Sequence, residues 1–363
     1  MLLESILGGA VLGAGMSIYN MFKDNKDNEN RTKEEWQEFL DSTAITNKAK
    51  QGLTFDSHNS SKNFVLFHCP YGISKEDIKS KEVYFKIFLD ATRLEYTIKD
   101  KWLRMFYFKE ELPELVPYEY IEPADGTFEI FLGKSINDYS KIDFYKTPHV
   151  LIAGVTGSGK SCLTHVILTQ LYRHKVNPIM YLADLKRSEL IDYKNHKNTG
   201  KYLTSLEDVS EMINELLEEC DNRYELFTKV GAKKLETYNS KVSKEEQLRP
   251  IVVVIEECIR LVSDKKLQKN LAELLFIARA CGIYIVLTIQ RPTKSCIDSD
   301  IKASLGNIVG LKTINRVNSQ VICDDDRLRN LRGNGHGWVF NDSGEVEFQS
   351  FYIPEDDISK YLI

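Results

Sequence analysis

The chain reads His149-Val-Leu-Ile-Ala-Gly-Val-Thr-Gly-Ser-Gly-Lys-Ser161 at the point that decides its fold. An apolar run ends at Ala153, a loop with three glycines follows, and an amphipathic stretch begins after Ser161. The loop fits the full G-x-x-x-x-G-K-[ST] pattern of a phosphate-binding loop. Glycine lets backbone N–H groups approach phosphate oxygens without a Cβ in the way, and the following helix adds its positive end. The stretch predicts a strand, a phosphate-binding loop and a helix in succession.

Each residue of this loop is expected to contact a bound nucleotide. The set is Gly154, Val155, Thr156, Gly157, Ser158, Gly159, Lys160 and Ser161. Lys160 carries a mobile positive charge suited to the β- and γ-phosphates. Ser161 offers a hydroxyl to magnesium. The sequence therefore predicts ATP and Mg²⁺ as cofactors.

A second acidic site follows the run Ile251-Val-Val-Val-Ile255, which is typical of a strand buried on both faces. Glu256 and Glu257 come at its carboxyl end, where ligands collect in open α/β sheets. We assign Glu256 to magnesium, through water, and Glu257 to orienting or deprotonating the attacking water. Two adjacent acids are also common where a helix begins, and that interpretation remains open.

Two further polar residues are candidates for catalysis. Gln290 ends an apolar strand and could sense the γ-phosphate, although a polar strand terminus needs no function. Arg279 lies on the helix before that strand. An arginine supplied by a neighbouring subunit can stabilise charge on a transferred phosphoryl group. The alternative for Arg279 is an ordinary solvated helix arginine.

The apolar pattern of the second half predicts alternating strands and helices. Strands are expected at residues 149–153, 178–183, 251–255 and 283–288, and helices at residues 206–227 and 265–280. This alternation, with continuously apolar strands, is typical of an α/β fold with a parallel sheet covered by helices.

The chain has 363 residues, which suggests more than one domain. Residues 1–22 are apolar and rich in glycine and alanine. They suit a membrane anchor, a helix packed on a membrane protein, or, less well, a cleaved signal peptide. Residues 23–59 are expected to form a polar linker with one short helix, residues 60–132 a small α/β domain, and residues 133–363 the nucleotide-binding domain.

Within the small domain, three segments are rich in β-branched and aromatic residues, as strands are: residues 83–89, 94–98 and 103–108. Proline and acidic residues between Glu111 and Pro123 mark a boundary loop. None of these segments suggests chemistry.

Composition limits the classes of partner and compartment. The net charge is −5, so DNA binding would have to use local loops or a channel formed on assembly. The seven cysteines are odd in number and form no CxxC pair. We infer a reducing environment and no structural zinc.

Several stretches resemble one family in order and spacing over residues 131–340. They are Thr147-Pro148 leading into the phosphate loop, Ala183-Asp-Leu-Lys-Arg-Ser-Glu-Leu190, Arg223-Tyr224 with Gly231 and Tyr238-Asn239, Ala278-Arg-Ala-Cys-Gly-Ile283, and Thr288-Ile-Gln-Arg-Pro292. Together they resemble the motor domain of the FtsK/SpoIIIE family. The resemblance implies a RecA-like P-loop motor that acts as a ring, usually a hexamer, on double-stranded DNA. It also implies ATP hydrolysis at subunit interfaces, and a small domain, here residues 60–132, beside the motor.

The sequence departs from the family pattern at several points. Glu256 replaces the usual aspartate, Leu185 replaces a proline, and Ser319-Gln320 stands where the family has Ser-Arg. The family's winged-helix module and multi-span membrane domain are not recognised in the sequence. A compact motor of this kind resembles the coupling proteins of conjugative or mobilisable elements in Gram-positive bacteria.

The resemblance leaves several roles open. A coupling protein would work with relaxase and secretion-channel proteins at the cytoplasmic face of the membrane, or in the cytoplasm. The alternatives are a chromosome-segregation translocase, a protein-secretion ATPase of the type VII kind, and a nucleotide-gated adaptor that does not hydrolyse ATP. Basic residues that could line a DNA channel, or be ordinary solvated charges, are Lys186, Arg187, Lys294, Lys302 and Arg316.

Overall fold

The computed structural model describes residues 31–136, 138–293, 296–297 and 299–362. The chain divides into two compact units, one up to Glu111 and one from Leu112 onward. The expected apolar helix at residues 1–22 and Lys294 lie outside the described residues. None of the helices in the described part is long and apolar enough to span a bilayer.

The first unit packs three helices on one face of a four-stranded antiparallel sheet with strand order β1-β2-β4-β3. Its elements are α1 (Lys33–Thr43), β1 (Thr54–Asn59), β2 (Phe64–His68), α2 (Lys75–Ser80), α3 (Glu82–Leu89), β3 (Arg93–Lys99) and β4 (Trp102–Phe108). A short 3₁₀ helix, Ser60–Lys62, joins β1 to β2. The core is aromatic, and Trp36 and Phe88 lie at its centre with ring centroids 4.8 Å apart.

Two expectations for this unit need correction. Residues 83–89 lie in helix α3, because Phe85, Phe88 and Leu89 recur at helical spacing and all three are buried. Residues 33–59 are part of the folded unit and do not form a linker. The apolar stripe of α1 is buried, and β1 pairs with β2.

The second unit contains an eleven-stranded mixed sheet. Its strands are β5 (Val116–Pro117), β6 (Glu129–Lys134), β7 (Tyr139–Asp143), β8 (His149–Ala153), β9 (Ile179–Asp184), β10 (Thr199–Leu203), β11 (Ile251–Glu256), β12 (Ile283–Ile289), β13 (Asn307–Leu311), β14 (His336–Asn341) and β15 (Gly344–Tyr352). The order is β10-β9-β11-β12-β8-β13-β14-β15-β6-β7, with β5 beside β15. The six strands from β10 to β13 are parallel, and those from β13 to β7 are antiparallel.

Helices cover both faces of this sheet. They are α4 (Lys160–Arg173), α5 (Leu206–Lys229), α6 (Leu235–Asn239), α7 (Ile259–Val262), α8 (Lys265–Ile277), α9 (Ser299–Ser304) and α10 (Arg316–Cys323). The 3₁₀ segments are Ile191–Tyr193, Arg327–Asn330 and Glu355–Tyr361. Because successive strand residues point to opposite faces, Val252 and Val254 pack with α4, whereas Val253 and Ile255 pack with α5 and α8. The α/β class with a mainly parallel sheet is confirmed.

The division between the units falls at the start of the proline- and acid-rich loop and not after residue 132. The reason is strand β6, which pairs with β7 and β15 inside the large sheet. Residues 112–132 therefore belong to the second unit.

Candidate nucleotide-binding site

The candidate site lies at the carboxyl edge of the parallel strands. The phosphate loop, residues 154–161, joins β8 to α4, while Glu256 and Glu257 follow β11 and Gln290 follows β12. Parallel strands bring their carboxyl ends to one edge of a sheet, so residues distant in sequence meet here. At the start of β8, burial lowers the pKa of His149 to about 3. Its neutral Nδ1 accepts a hydrogen bond from Ile285 N at 3.1 Å, which ties β8 to β12.

The phosphate loop is fixed by main-chain hydrogen bonds to the carboxyl end of β12 and to the residue that follows β13. Gly154 N donates to Ile289 O at 3.1 Å, and Val155 N donates to Lys312 O at 3.0 Å. Gly159 has φ 96°, in the left-handed region where a Cβ is unfavourable. The loop is therefore held in shape before a nucleotide arrives.

A turn at residues 333–335 braces the outer side of the loop. Gly335 N donates to Ser158 O at 2.7 Å, and Asn334 N donates to Gly157 O at 3.4 Å. A Cβ on Gly159 would lie 2.3 Å from Gly335 N, so only glycine permits this approach. The Gly333-Asn-Gly335 pattern indicates a turn in the sequence but does not predict this contact.

Lys160 and Glu256 form a buried ion pair beneath the loop. Lys160 Nζ lies 2.7 Å from Glu256 Oε1, and the two side chains are 4% and 1% exposed. Each charge compensates the other, because an unpaired charge at this depth would be strongly unfavourable. The two residues expected to hold phosphate and magnesium are thus adjacent.

Thr288 of β12 connects the two glutamates. Its Oγ1 donates to Glu256 Oε2 at 2.7 Å and accepts from Glu257 N at 2.9 Å. Thr288 is fully buried. In the sequence, Thr288 belongs to an apolar strand and opens the stretch Thr288-Ile-Gln-Arg-Pro292, and neither feature predicts its link to the two glutamates.

We expect Thr288→Val to reduce ATP turnover about tenfold or more, because Glu256 loses a donor and the Glu257 N–H loses an acceptor. A buried group left unpaired costs about 1–3 kcal/mol. Steady-state ATP hydrolysis measures the effect. Thr288→Ser, which keeps the hydroxyl, is the matched control, and equal losses in both variants would contradict this role.

Glu257 is held in an unusual backbone conformation with φ 58°. Its Oε1 accepts a hydrogen bond from Gln290 N at 3.3 Å. Lys186 Nζ lies 3.6 Å from Glu257 Oε2 and 3.8 Å from Glu256 Oε1. The structure therefore brings Gln290 to the site, and it places Lys186 beside the glutamates and not free in a channel.

Arg279 is not brought to this site. Its Nη2 donates to Lys146 O at 2.8 Å, just before the start of β8. This is the amino edge of the parallel strands, opposite the phosphate loop. Arg279 is exposed there, so any contact with a nucleotide would involve another copy of the chain.

The remaining basic candidates differ in their surroundings. Arg187 lies in the loop after β9, and Arg316 is the first residue of α10, which follows β13, so both lie at the carboxyl edge, and both are exposed. Lys302 instead pairs with Asp324 at 3.2 Å. Arg187 and Arg316 remain the better placed residues for a phosphate backbone.

The residues present fit a magnesium nucleotide. Ser158 Oγ is buried among described atoms without a protein hydrogen-bond partner, and it lies in the loop itself. Ser161 is half-buried at the start of α4, next to the Lys160–Glu256 pair. Burial, with the Glu257 carboxylate as a second cause, raises the pKa of the nearby Cys258 thiol, so that thiol stays protonated. Among the described residues, no group of three or more His, Cys, Asp or Glu side chains is arranged to hold a metal ion.

Comparison with known proteins identifies the family. The model of the FtsK/SpoIIIE family matches residues 112–294. DNA translocase FtsK of Chlamydia pneumoniae is 31% identical over 80% of this chain and 40% of its own length. The DNA translocase FtsK of Streptococcus pneumoniae (strain ATCC BAA-255 / R6) is 30% identical over 66% of this chain and 33% of its own. The chain thus spans two fifths or less of these relatives.

Solved structures share the fold. The pCW3 conjugation coupling protein TcpA, determined with ATPgS, superposes with a TM-score of 0.66 at 22% identity, over 91% of this chain and 98% of TcpA. The cytoplasmic domain of the type VII secretion ATPase EccC from Thermomonospora curvata gives 0.58 at 18% identity, over 67% of this chain and 31% of EccC. With its phosphate loop and paired glutamates at one sheet edge, the chain belongs to the FtsK/SpoIIIE family of P-loop ATPases.

Proposed function

We propose that this protein hydrolyses ATP to translocate DNA. The observation that carries the proposal is the convergence of the phosphate loop, both glutamates and Gln290 at one sheet edge, with Lys160 2.7 Å from Glu256. Family membership supports the same activity.

Each side chain has a defined task in hydrolysis. Lys160 would turn from Glu256 to the β- and γ-phosphates, since a phosphate is the stronger partner for a mobile ammonium. Ser161 and Glu256 would hold magnesium, which neutralises charge on the phosphate oxygens when bound. Glu257 would orient the attacking water and take its proton. Gln290 would sense whether the γ-phosphate is present and transmit this to Glu257 through the hydrogen bond from its main-chain N–H.

The position of Arg279 favours an oligomer. It lies at the sheet edge opposite its own nucleotide site, so it could complete only the site of a neighbouring subunit. A ring, with a hexamer as the expected size, would place one such arginine at every interface. DNA would pass beside Arg187 and Arg316 at the carboxyl edge of the sheet, since the net charge of −5 leaves no general basic surface.

The finer role we propose is that of a coupling protein for DNA transfer, working with relaxase and channel proteins at the cytoplasmic face of the membrane. Fold similarity to a conjugation coupling protein over almost the full length of both chains supports this choice. Chromosome segregation is the alternative favoured by the named relatives, and protein secretion is the alternative favoured by the EccC fold.

The test is ATP hydrolysis by the full chain with linear double-stranded DNA, single-stranded DNA or no DNA. Double-stranded DNA should stimulate turnover, and the stimulation should fall steeply with salt because phosphate contacts release counterions. Arg187→Ala with Arg316→Ala should weaken the stimulation, whereas Lys302→Ala is the matched control, since Lys302 is paired with Asp324. Turnover indifferent to all DNA would overturn the proposal and favour protein secretion.

A further inference from the structure

We propose that Lys186 is a positioning residue that restrains Glu257 until DNA engages the adjacent loop. The inference rests on the proposed function and adds a regulator to the same site. Lys186 would keep ATP turnover low in the absence of DNA.

The two carboxylate oxygens of Glu257 have different neighbours: Oε1 accepts a hydrogen bond, whereas the buried Oε2 accepts none from the described residues and has Lys186 in ion-pair range. Oε1 accepts from Gln290 N at 3.3 Å, and Oε2 lies 3.6 Å from Lys186 Nζ. The Glu257 side chain is 13% exposed and that of Lys186 is 29% exposed, so the pair is partly shielded from solvent. An attacking water that is to be bound by Oε2 must therefore compete with the charge of Lys186, which lies beside that oxygen. Release of Lys186 frees Oε2 without disturbing the main-chain contact at Oε1.

The charges at the site make this release depend on the catalytic cycle. Lys160 and Lys186 balance Glu256 and Glu257, and Lys186 also lies 3.8 Å from Glu256 Oε1. When Lys160 turns to the phosphates, Lys186 still lies 3.8 Å from Glu256 Oε1 and 3.6 Å from Glu257 Oε2. The attraction between Lys186 and the two glutamates is then strongest when nucleotide is bound and DNA is absent.

The loop that carries Lys186 is tied at its base and exposed at its middle. Arg187 N donates to Asp184 O at 3.1 Å, and Leu190 N donates to Asp184 Oδ2 at 3.1 Å. Tyr202 OH donates to the same Oδ2 at 2.9 Å, so the buried Asp184 is a fixed anchor. Arg187 is exposed and has φ 63°.

A DNA phosphate bound by Arg187 would therefore pull on the residue next to Lys186. Glu189 offers Lys186 an alternative ion-pair partner. Its Oε1 already lies 3.7 Å from Lys186 Nζ, and its side chain is partly exposed. A small rotation of the Lys186 side chain would leave it paired with Glu189 and no longer with Glu257. DNA binding and catalysis would then be coupled through one side chain.

The test compares Lys186→Met, Lys186→Gln and Lys186→Arg with the unchanged chain. Without DNA, kcat for ATP should rise about fivefold or more in the Met and Gln variants, a typical size for coupling between sites. KM and the affinity for a non-hydrolysed ATP analogue should stay unchanged, and Lys186→Arg should restore the low rate because it keeps the charge. Stimulation by DNA should shrink correspondingly in the Met and Gln variants.

The outcomes separate this inference from the function on which it rests. Unchanged or lower DNA-free kcat in the Met and Gln variants, with analogue binding intact, would overturn the restraint. A change in KM or analogue affinity alone would show that Lys186 serves nucleotide binding and would overturn it too. If the unchanged chain itself is not stimulated by DNA, the proposed function fails, whereas the DNA-free comparison still decides the restraint.

Discussion

Replacing Glu257 by glutamine is expected to reduce ATP hydrolysis by about 10²–10⁴-fold, the usual contribution of a positioned general base. Glutamine has nearly the same shape, can keep the Oε1 contact to Gln290 N, and meets the same backbone demand at φ 58°. The change therefore removes the charge and little else. Single-turnover hydrolysis measures the chemical step, and binding of a fluorescent ATP analogue should be unchanged.

Glu256→Gln is the matched comparison for this prediction, because Glu256 is assigned to magnesium. That variant should weaken magnesium-dependent nucleotide binding as well as turnover. If Glu257→Gln retains a near-normal rate while Glu256→Gln loses it, the roles of the two acids are exchanged. In that case Glu256, which stands where the family usually has aspartate, would act as the general base in this chain.

Lys160→Ala should abolish measurable turnover and weaken nucleotide binding, and it should also destabilise the second unit. Glu256, 1% exposed, would lose its closest counter-charge. Breaking a buried pair by removing one partner costs about 3–5 kcal/mol. Thr288 and Lys186 remain near Glu256, so we expect the lower end of that range. Urea denaturation without nucleotide measures the stability change.

A double-mutant cycle isolates the pair. Glu256→Gln in the Lys160→Met background removes both charges and should recover part of the stability lost in the single Lys160→Met variant. Neighbouring residues in one ion pair typically show coupling of about 0.5–3 kcal/mol. Additive effects on unfolding would mean that the pair contributes nothing to the nucleotide-free fold.

The sequence was sufficient to predict the elements that build the site. The apolar strand before Gly154, the run ending at Ile255 and the amphipathic helix after residue 205 all lie where local pattern predicted them. Those patterns are local, since each depends on residues a few positions apart. The capping box of Thr32 and Glu35 at the start of α1 is equally local, since the two residues lie three positions apart.

The contacts that were missed join residues far apart in the chain. Thr288 meets Glu256 across 32 positions, and the Lys160–Glu256 pair spans 96. Gly335 meets the phosphate loop only because the antiparallel strands beyond β13 return to it. No periodicity signals such meetings. The domain boundary expected after residue 132 is wrong for the same reason, because β6 pairs with β15, which lies more than 200 residues later in the sequence.

The brace between Gly335 and Ser158 has a mechanical consequence. The two sides of the nucleotide site differ in how firmly they are held. The phosphate loop is hydrogen-bonded to Ile289, Lys312 and the 333–335 turn, and it leaves no room even for a methyl group at Gly159. On the other side of the site, Glu257 is contacted by the partly exposed Lys186, whose loop is fixed only at its base by Asp184. Any movement during ATP hydrolysis should therefore begin in the loop after Asp184, at residues 185–189, while the phosphate loop keeps its place.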